Sequence, residues 1–162
     1  MTVLVLFSHG SLLCGAGEAL EAHAARLRAT GRYIRVEIGY LNYSDPPFAE
    51  TVARLAQDGV TCILVAPYFL IPGYFVSKSL PELLEAVKQK HPEMTFTVAE
   101  ALGTDDILAD ALLASALSAR SREQWRDPLK RATLSCRPSP ECPLYGTRAC
   151  PKVPVLPVES AT

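Results

Sequence analysis

Four apolar runs rich in β-branched residues set the predicted framework of the chain. They lie at residues 3–7, 34–38, 61–66 and 95–99. Each run is nearly continuous and does not alternate between apolar and polar residues, which is typical of parallel strands buried on both faces. We therefore predict four buried β-strands.

Segments with helical spacing separate and follow these runs, at residues 17–29, 47–57, 76–90 and 105–120. Leucine, isoleucine, valine and other apolar residues recur in them every three or four positions, which predicts one core-facing stripe per helix. Asp45 is the predicted N-cap of the second helix and Thr104 that of the fourth. The order β-α-β-α-β-α-β-α predicts an α/β fold, a parallel sheet with helices on both faces.

Length, charge and hydropathy narrow the class of protein. The 162 residues suffice for one domain with a sizeable core, and the formal net charge is -1. No basic run is interleaved with aromatic residues, so we expect no nucleic-acid partner. No apolar stretch approaches the roughly 20 residues that span a bilayer, and the apolar N-terminus reaches His9 too soon for a signal peptide. We expect a cytoplasmic protein without a membrane partner.

The chain changes character beyond residue 122, where seven prolines between positions 128 and 157 exclude a long helix. We predict an α/β domain over residues 1–122 and a Pro/Cys-rich extension over residues 123–162. The chain has five cysteines, an odd number that argues against a disulfide framework when no export signal is present. Cys62 lies in an apolar run, where we expect a small buried side chain.

The other cysteines concentrate in the extension. Cys136, Cys142 and Cys150 fall within 15 residues, a density that favours thiolate ligands to Zn²⁺ or to an iron–sulfur cluster. A cluster needs a fourth ligand, and Cys14 would serve if the extension folds back. Three reduced thiols on a mobile tail are the alternative interpretation.

Candidate chemistry begins where the first strand ends. In open parallel sheets, ligands bind beyond the carboxyl ends of the strands, and His9-Gly10 follows the first of them. An imidazole suits divalent iron, cobalt, nickel and zinc, and it accepts a proton near neutral pH. Gly10 permits the close approach of a flat substrate. A structural histidine bonded to a loop carbonyl is the alternative.

An aromatic loop follows the third strand. Its rings belong to Tyr68, Phe69, Tyr74 and Phe75, and they can wall a cleft for a planar ligand. The alternative is that they pack against the edge of the sheet, which is the preferred interpretation for Phe69.

Four segments, in the right order, resemble the class II tetrapyrrole chelatases of the CbiX and SirB type. They are His-Gly-Ser at 9–11, Gly-Tyr-Leu-Asn-Tyr-Ser-Asp-Pro-Pro at 39–47, Tyr-Phe-Leu-Ile-Pro-Gly at 68–73 and Ala-Leu-Gly-Thr-Asp-Asp-Ile-Leu at 101–108. The similarity covers about residues 1–120. It implies a flavodoxin-like half-chelatase with a four-stranded parallel sheet, usually paired as a homodimer.

The resemblance also implies an activity and a site. Members of the family are lyases that insert Co²⁺ or Fe²⁺ into sirohydrochlorin or a related tetrapyrrole, while two pyrrole protons leave. His9 would be the metal ligand and the proton acceptor. Lys78 and Arg32 are of the kind that meets the substrate carboxylates. The implied substrate-binding residues are Ser11, Tyr68, Tyr74, Phe75 and Lys78.

Two positions depart from the family pattern. Phe75 stands where the family has a second metal-binding histidine, and Asn42 stands where it often has a glutamate. Oxygen donors such as Tyr74, Ser11 and Asp105 are poor substitutes for imidazole. His9 would then act alone or with the His9 of a dimer mate. The alternatives are a non-catalytic tetrapyrrole- or metal-binding module, or an iron–sulfur protein built on a chelatase fold.

The two remaining histidines, His23 and His91, fall within or at the end of predicted helices. We expect both to face solvent.

Overall fold

The structure is a computed structural model that describes residues 2–11, 17–103, 105–119, 121, 140 and 145. Its strands are β1 (Thr2–Ser8), β2 (Val36–Tyr40), β3 (Cys62–Pro67) and β4 (Thr95–Val98). Its helices are α1 (Glu18–Ala29), α2 (Phe48–Gln57), α3 (Leu80–Lys90) and α4 (Asp106–Leu117), with one π-helical turn, Phe75–Ser79, directly before α3. Strands and helices alternate in the predicted order.

The four strands form one parallel sheet in the order β2-β1-β3-β4. The chain moves outward from β1 to β2 and then returns past β1 to β3, so the strand order reverses beside β1. A reversal of this kind leaves a crevice at the carboxyl ends of the strands. The residue that follows β1 therefore lies where ligands bind in such sheets.

Two apolar clusters cover the two faces of the sheet, because successive side chains of a strand point to opposite sides. Helices α2 and α3 pack on one face and α1 packs on the other. Alternate residues of β1 enter the two clusters: Val3, Val5 and Phe7 on the first face, Leu4 and Leu6 on the second. This explains the continuous apolar run of β1 and confirms the predicted sheet with helices on both faces.

Burial on both faces does not extend across the whole sheet. Strand β4 has no buried residue and is an edge strand, so the prediction of full burial was wrong there. Cys62, expected to be buried, is only half-buried at the start of β3. Hydrogen bonds from the hydroxyls of Thr95 and Thr61 lower the pKa of the Cys62 thiol.

The predicted helix and strand boundaries need three corrections. Strand β2 begins at Val36, since Ile34 is 73% exposed and lies in a bend. Helix α2 begins after Pro47 without a side-chain cap, so Asp45 is not its N-cap. The N-cap of α4 is Asp105, whose side chain accepts a hydrogen bond from the backbone N–H of Ile107 at 2.9 Å. Thr104, predicted for that role, lies outside the described residues.

Helix α4 is apolar in sequence, yet it has no buried residue. Leu108 is half-buried, and its other large apolar side chains are 60–81% exposed: Ile107, Leu112, Leu113 and Leu117. The prediction that one stripe of this helix faces the core was therefore wrong. Within the described parts of the chain, no helix has the length and apolarity to cross a membrane.

The chain divides into two compact units. The first comprises residues 1–10 and 19–119 and holds the sheet with its clusters. The second comprises residues 11–18 and 120–162, and only a few of these are described. The predicted boundary between residues 122 and 123 falls outside the described residues, and so do Cys14, Cys136, Cys142 and Cys150.

An ion network secures the outer strand β2 to helix α2. The Glu37 carboxylate accepts from Arg35 at 2.5 Å and from Arg54 at 2.8 Å, and Arg35 also donates to Asp58 at 2.6 Å. Burial alone would raise the pKa of Glu37, but the hydrogen bonds from Arg54 and Arg35 outweigh it and lower that pKa. The charged form of Glu37 is therefore the one that stabilises the fold.

We expect Glu37→Gln to lower the free energy of unfolding at pH 7 by about 1 kcal/mol, the scale of a partly shielded ion pair. Because the folded-state pKa is lowered, the contribution is complete above about pH 4.3 and is lost as the pH falls further. Urea unfolding at several pH values measures this. The control is Glu50→Gln, since Glu50 is exposed on α2 and forms no ion pair with the described residues. Equal losses from both variants would contradict the prediction.

Candidate functional site

The candidate site is the edge of the sheet where β1, β2 and β3 end. Backbone pairing continues past the strands there: Leu41 N–H donates to Ser8 O and Asn42 N–H to His9 O, both at 2.9 Å. On the other side of β1, Tyr68 N–H donates to Phe7 O at 2.7 Å. The segments after the three strands are thus held beside one another.

The half-buried His9 follows β1 and contacts two aromatic rings. Its ring centroid lies 4.3 Å from that of Phe75 and 5.6 Å from that of Tyr43. Nδ1 of His9 lies 3.1 Å from the carbonyl oxygen of Gly10. With the proton on Nδ1, His9 donates this bond and its lone pair is on Nε2. The carbonyl contact expected of a structural histidine therefore also orients the ring for a ligand at Nε2.

Gly10 makes the close approach of these segments sterically possible. It has a φ of 85°, and a Cβ built on it would lie 1.8 Å from the carbonyl oxygen of Asn42 and 3.2 Å from the backbone nitrogen of Ser44. No side chain fits at that distance. The backbone after β2 thus occupies the space that a side chain at position 10 would need.

The ring of Phe75 connects the site to the apolar core. Its centroid lies 6.1 Å from that of Phe69, Phe69 lies 5.9 Å from Phe7, and Phe7 lies 5.4 Å from Phe48. Phe69 packs against the core cluster, as its preferred interpretation predicted. Phe75 is 37% exposed and contacts His9, at the position where the resemblance implies a histidine.

The aromatic row continues outward from Phe75. The exposed Tyr74 ring lies 6.0 Å from Phe75 in an edge-on arrangement, and the Lys78 ammonium lies 5.9 Å from the centre of the Tyr74 ring. We use the term aromatic row for the rings of Tyr43, His9, Phe75 and Tyr74. Lys78 places one positive charge at the end of this row.

Tyr68 lies on the other face of the sheet from the aromatic row. Its ring lies 5.4 Å from that of His23 in α1, and its hydroxyl is 3.4 Å from His23 Nε2. His23 is half-buried by this contact, so its predicted solvent-facing position was wrong. His91 is also half-buried, with Nδ1 3.7 Å from a Glu93 carboxylate oxygen.

Other candidate residues have different placements. Arg32 precedes β2, whereas His9 follows β1, so in a parallel sheet Arg32 lies at the opposite edge and cannot meet the same ligand. Asp105 caps α4 with its carboxylate. Ser11 belongs to the second compact unit. Among the described residues, no three His, Cys, Asp or Glu side chains come together as a metal site.

Tyr43 is the site residue that the sequence did not single out. It was quoted only as part of the segment after β2, and its contact with His9 depends on a backbone φ of 61°. Its position directly after Asn42, in a loop at the carboxyl edge of the sheet, was the available signal.

Residues 3–119 match the model of the CbiX family, and the chain belongs to that family. The resemblance inferred from the four segments is thereby confirmed.

One relative is a sirohydrochlorin cobaltochelatase of Methanocaldococcus jannaschii, 32% identical over 91 residues that make up 56% of this chain. This protein and three further sirohydrochlorin cobaltochelatases are covered over only 58–64% of their length.

Solved structures share the fold. A CbiX protein from Marinobacter aquaeolei superposes with a TM-score of 0.55 and 23% identity, over 81% of this chain and 99% of that one. SirB from Bacillus subtilis, solved with Fe³⁺, superposes with a TM-score of 0.66 and 19% identity, over 74% of this chain and 48% of that one. At these identities the likeness concerns the fold.

Gly10→Ala tests the steric requirement at the site. Gly59→Ala is a matched control, because Gly59 has a similar φ of 77° but nothing within 4 Å of a built Cβ. We expect the control to cost about 1 kcal/mol of stability through its positive φ alone. Gly10→Ala should cost at least about 1 kcal/mol more, since the backbone of Asn42 must move as well. Denaturant unfolding measures both, and equal costs would contradict the steric account.

Proposed function

We propose that this protein inserts a divalent metal, Co²⁺ or Fe²⁺, into sirohydrochlorin or a related tetrapyrrole, as a metallochelatase of the lyase class. The observation that carries the proposal is His9, oriented at the reversal point of a parallel sheet and set within an open row of aromatic rings. Membership of the CbiX family and the cobaltochelatase relatives support it. The iron in the SirB structure agrees with Fe²⁺ as an alternative metal substrate.

The chemistry follows from the number of donors at the site. A tetrapyrrole supplies four nitrogen ligands, so the protein needs to hold the metal only until these take over. His9 Nε2 can bind the divalent ion as a single imidazole ligand. Two pyrrole N–H protons leave as the metal enters, and His9 can accept one of them once the metal has passed on, while water takes the other.

The aromatic row suits the macrocycle. Tyr74 offers an exposed ring face to a conjugated planar ligand, with Phe75 edge-on to it, and Lys78 offers an ammonium to one of the ligand's carboxylates. Phe75 contacts His9 directly, so we propose that it keeps the imidazole in place as well as contacting substrate. Ser11 and Tyr68 stay predictions as substrate contacts, since Ser11 belongs to the second compact unit and Tyr68 lies on the other face of the sheet from the aromatic row.

We expect His9→Ala to reduce the rate of metal insertion to that of the protein-free control. The assay mixes protein, sirohydrochlorin and Co²⁺ or Fe²⁺ anaerobically and follows the visible spectrum. His91→Ala is the matched control, because His91 is half-buried and contacts Glu93 at the far end of α3. It should retain the wild-type rate. An unchanged rate in His9→Ala would overturn the proposed mechanism.

A second candidate function is a non-catalytic tetrapyrrole- or metal-binding module. It is favoured by Phe75, which occupies the space beside His9 with a ring that cannot bind metal, and by the absence of any three-residue metal site among the described residues. A shifted macrocycle spectrum without a gain in rate would support it. Restoration of activity by Phe75→His would support it strongly, since that variant supplies the missing imidazole.

We further propose that the extension binds Zn²⁺ or an iron–sulfur cluster through Cys136, Cys142 and Cys150. The support is the spacing of these thiols in the sequence. Anaerobic purification followed by iron, sulfide and zinc analysis tests it, with a Cys142→Ser variant as control. Colourless protein free of both metals would remove this proposal without affecting the chelatase site.

A cytoplasmic homodimer is the last part of the proposal. The SirB match covers 48% of that chain, so SirB carries about as much chain again, which a second copy of this protein would supply. The exposed apolar side chains of α4 give the second copy a surface to cover. The cytoplasmic location stays a prediction.

We expect the full chain to sediment as a dimer and Leu113→Lys/Leu117→Lys to shift it to the monomer, because charged residues oppose burial of α4. The control is Ile34→Lys, which places a charge on an equally exposed residue before β2. Analytical ultracentrifugation distinguishes the states. A wild-type monomer, or a dimer unaffected by the α4 variant, would contradict this arrangement.

A further inference from the structure

Tyr43 has an unusual backbone conformation. Its φ of 61° is the only positive φ of a non-glycine residue among those that the structure describes. This left-handed region is unfavourable for side chains with a Cβ and is most readily adopted by glycine, asparagine and aspartate. A tyrosine at such a position persists only when its surroundings hold it there.

The surroundings of Tyr43 do hold it. On one side, Asn42 N–H donates to His9 O at 2.9 Å, and on the other, Ser44 N–H donates to Asn42 O at 2.7 Å. Tyr40 N–H donates to Pro46 O at 3.0 Å, which closes the loop. The segment after β2 packs directly against Gly10. Only the absence of a side chain at Gly10 allows the two backbones to come this close.

The strained conformation gives Tyr43 no compensating core packing. Its side chain is 61% exposed, and its ring contact is with His9, at 5.6 Å between centroids and 60° between planes. Tyr43 and Phe75 therefore both contact the imidazole. The strain sets a large, exposed aromatic face next to the residue that carries the proposed chemistry.

We propose that Tyr43 is a substrate-binding and positioning residue: its ring stacks on the conjugated plane of the tetrapyrrole and fixes the pyrrole nitrogens relative to His9 Nε2. This inference rests on the proposed function, because it takes a planar macrocycle as the ligand. The ring face carries the interaction, and the phenol hydroxyl does not. Loss of stacking then weakens macrocycle binding by about 3- to 10-fold.

The test compares Tyr43→Phe, which keeps the ring, with Tyr43→Asn, which removes it and suits a positive φ. Ile34→Asn is the matched control for removing an exposed apolar side chain, at the opposite edge of the sheet. Four quantities are measured on the full chain. They are the Kd for metal-free sirohydrochlorin from its visible spectrum, KM and kcat for Co²⁺ insertion, and Tm by circular dichroism.

Tyr43→Phe and Ile34→Asn should keep Kd within about 2-fold of wild type. Tyr43→Asn should raise Kd and KM by about 3- to 10-fold, with a smaller change in kcat and a Tm equal to or above wild type. A Tyr43→Asn variant with wild-type Kd would overturn the inference. So would a lower Tm that accompanies the weaker binding, which indicates a structural role, or an equal loss in Tyr43→Phe, which indicates the hydroxyl.

The same measurements separate this inference from the proposed function. Wild-type protein that binds the macrocycle without accelerating metal insertion contradicts the chelatase activity, while the Kd comparison still decides the role of Tyr43. Wild-type protein that does not bind sirohydrochlorin overturns both.

Discussion

The arrangement of the site depends on the contact between the backbone at Gly10 and the backbone of Asn42. The missing Cβ at position 10 lets the segment after β2 lie directly against the end of β1, where Asn42 N–H bonds to His9 O. Two consequences follow from this one contact. The ring of His9 is held where the strand order of the sheet reverses. The segment after β2 places Tyr43 beside that ring.

The second constraint is the chain of aromatic rings that runs from the core to the surface. Phe48, Phe7, Phe69 and Phe75 contact one another in sequence, so the position of His9 is coupled to packing deep in the domain. A histidine in place of Phe75 would add a metal ligand but would bring a polar ring against Phe69. Phe75 therefore gives the site packing against the His9 imidazole and no second metal ligand.

The sequence predicted the sheet well because the cause of its pattern is local. A strand that contributes to cores on both faces must be apolar at every position, as β1 is from Val3 to Phe7. The location of His9 followed from the general position of ligands in such sheets. Alternation along β3 also shows why Tyr68 lies on the other face of the sheet from the aromatic row. Tyr68 shares the face of Leu64 and Ala66, whereas Phe69 shares the face of Ile63 and Val65. Applied to the aromatic loop, that rule would have separated the two residues.

Other features depend on tertiary contacts that no local pattern encodes. The positive φ of Tyr43 occurs in a loop that Asn42 N–H anchors to His9 O, 33 positions away, and tyrosine has no preference for that conformation. The start of α2 at Phe48, with Pro47 as its N-cap, leaves Asp45 outside the helix although its residue type suits an N-cap. The exposure of α4 also cannot be predicted from its sequence. The spacing of apolar residues indicates that one side of the helix packs against something, but it does not identify the packing surface.

A site with one imidazole is consistent with a reaction that ends in metal transfer. A ligand set that held the ion tightly in the ground state would oppose its passage to the macrocycle, since only interactions strengthened in the transition state accelerate a step. Under the proposed function, His9 would bind the ion weakly and the aromatic row would bind the macrocycle, with the ring of Tyr43 stacked on its plane. The site would then contribute mainly by positioning the macrocycle that accepts the metal. The macrocycle is the part of the complex that changes least during the reaction. Under the proposed function, Phe75 in place of a second metal-binding imidazole would be compatible with catalysis on these grounds.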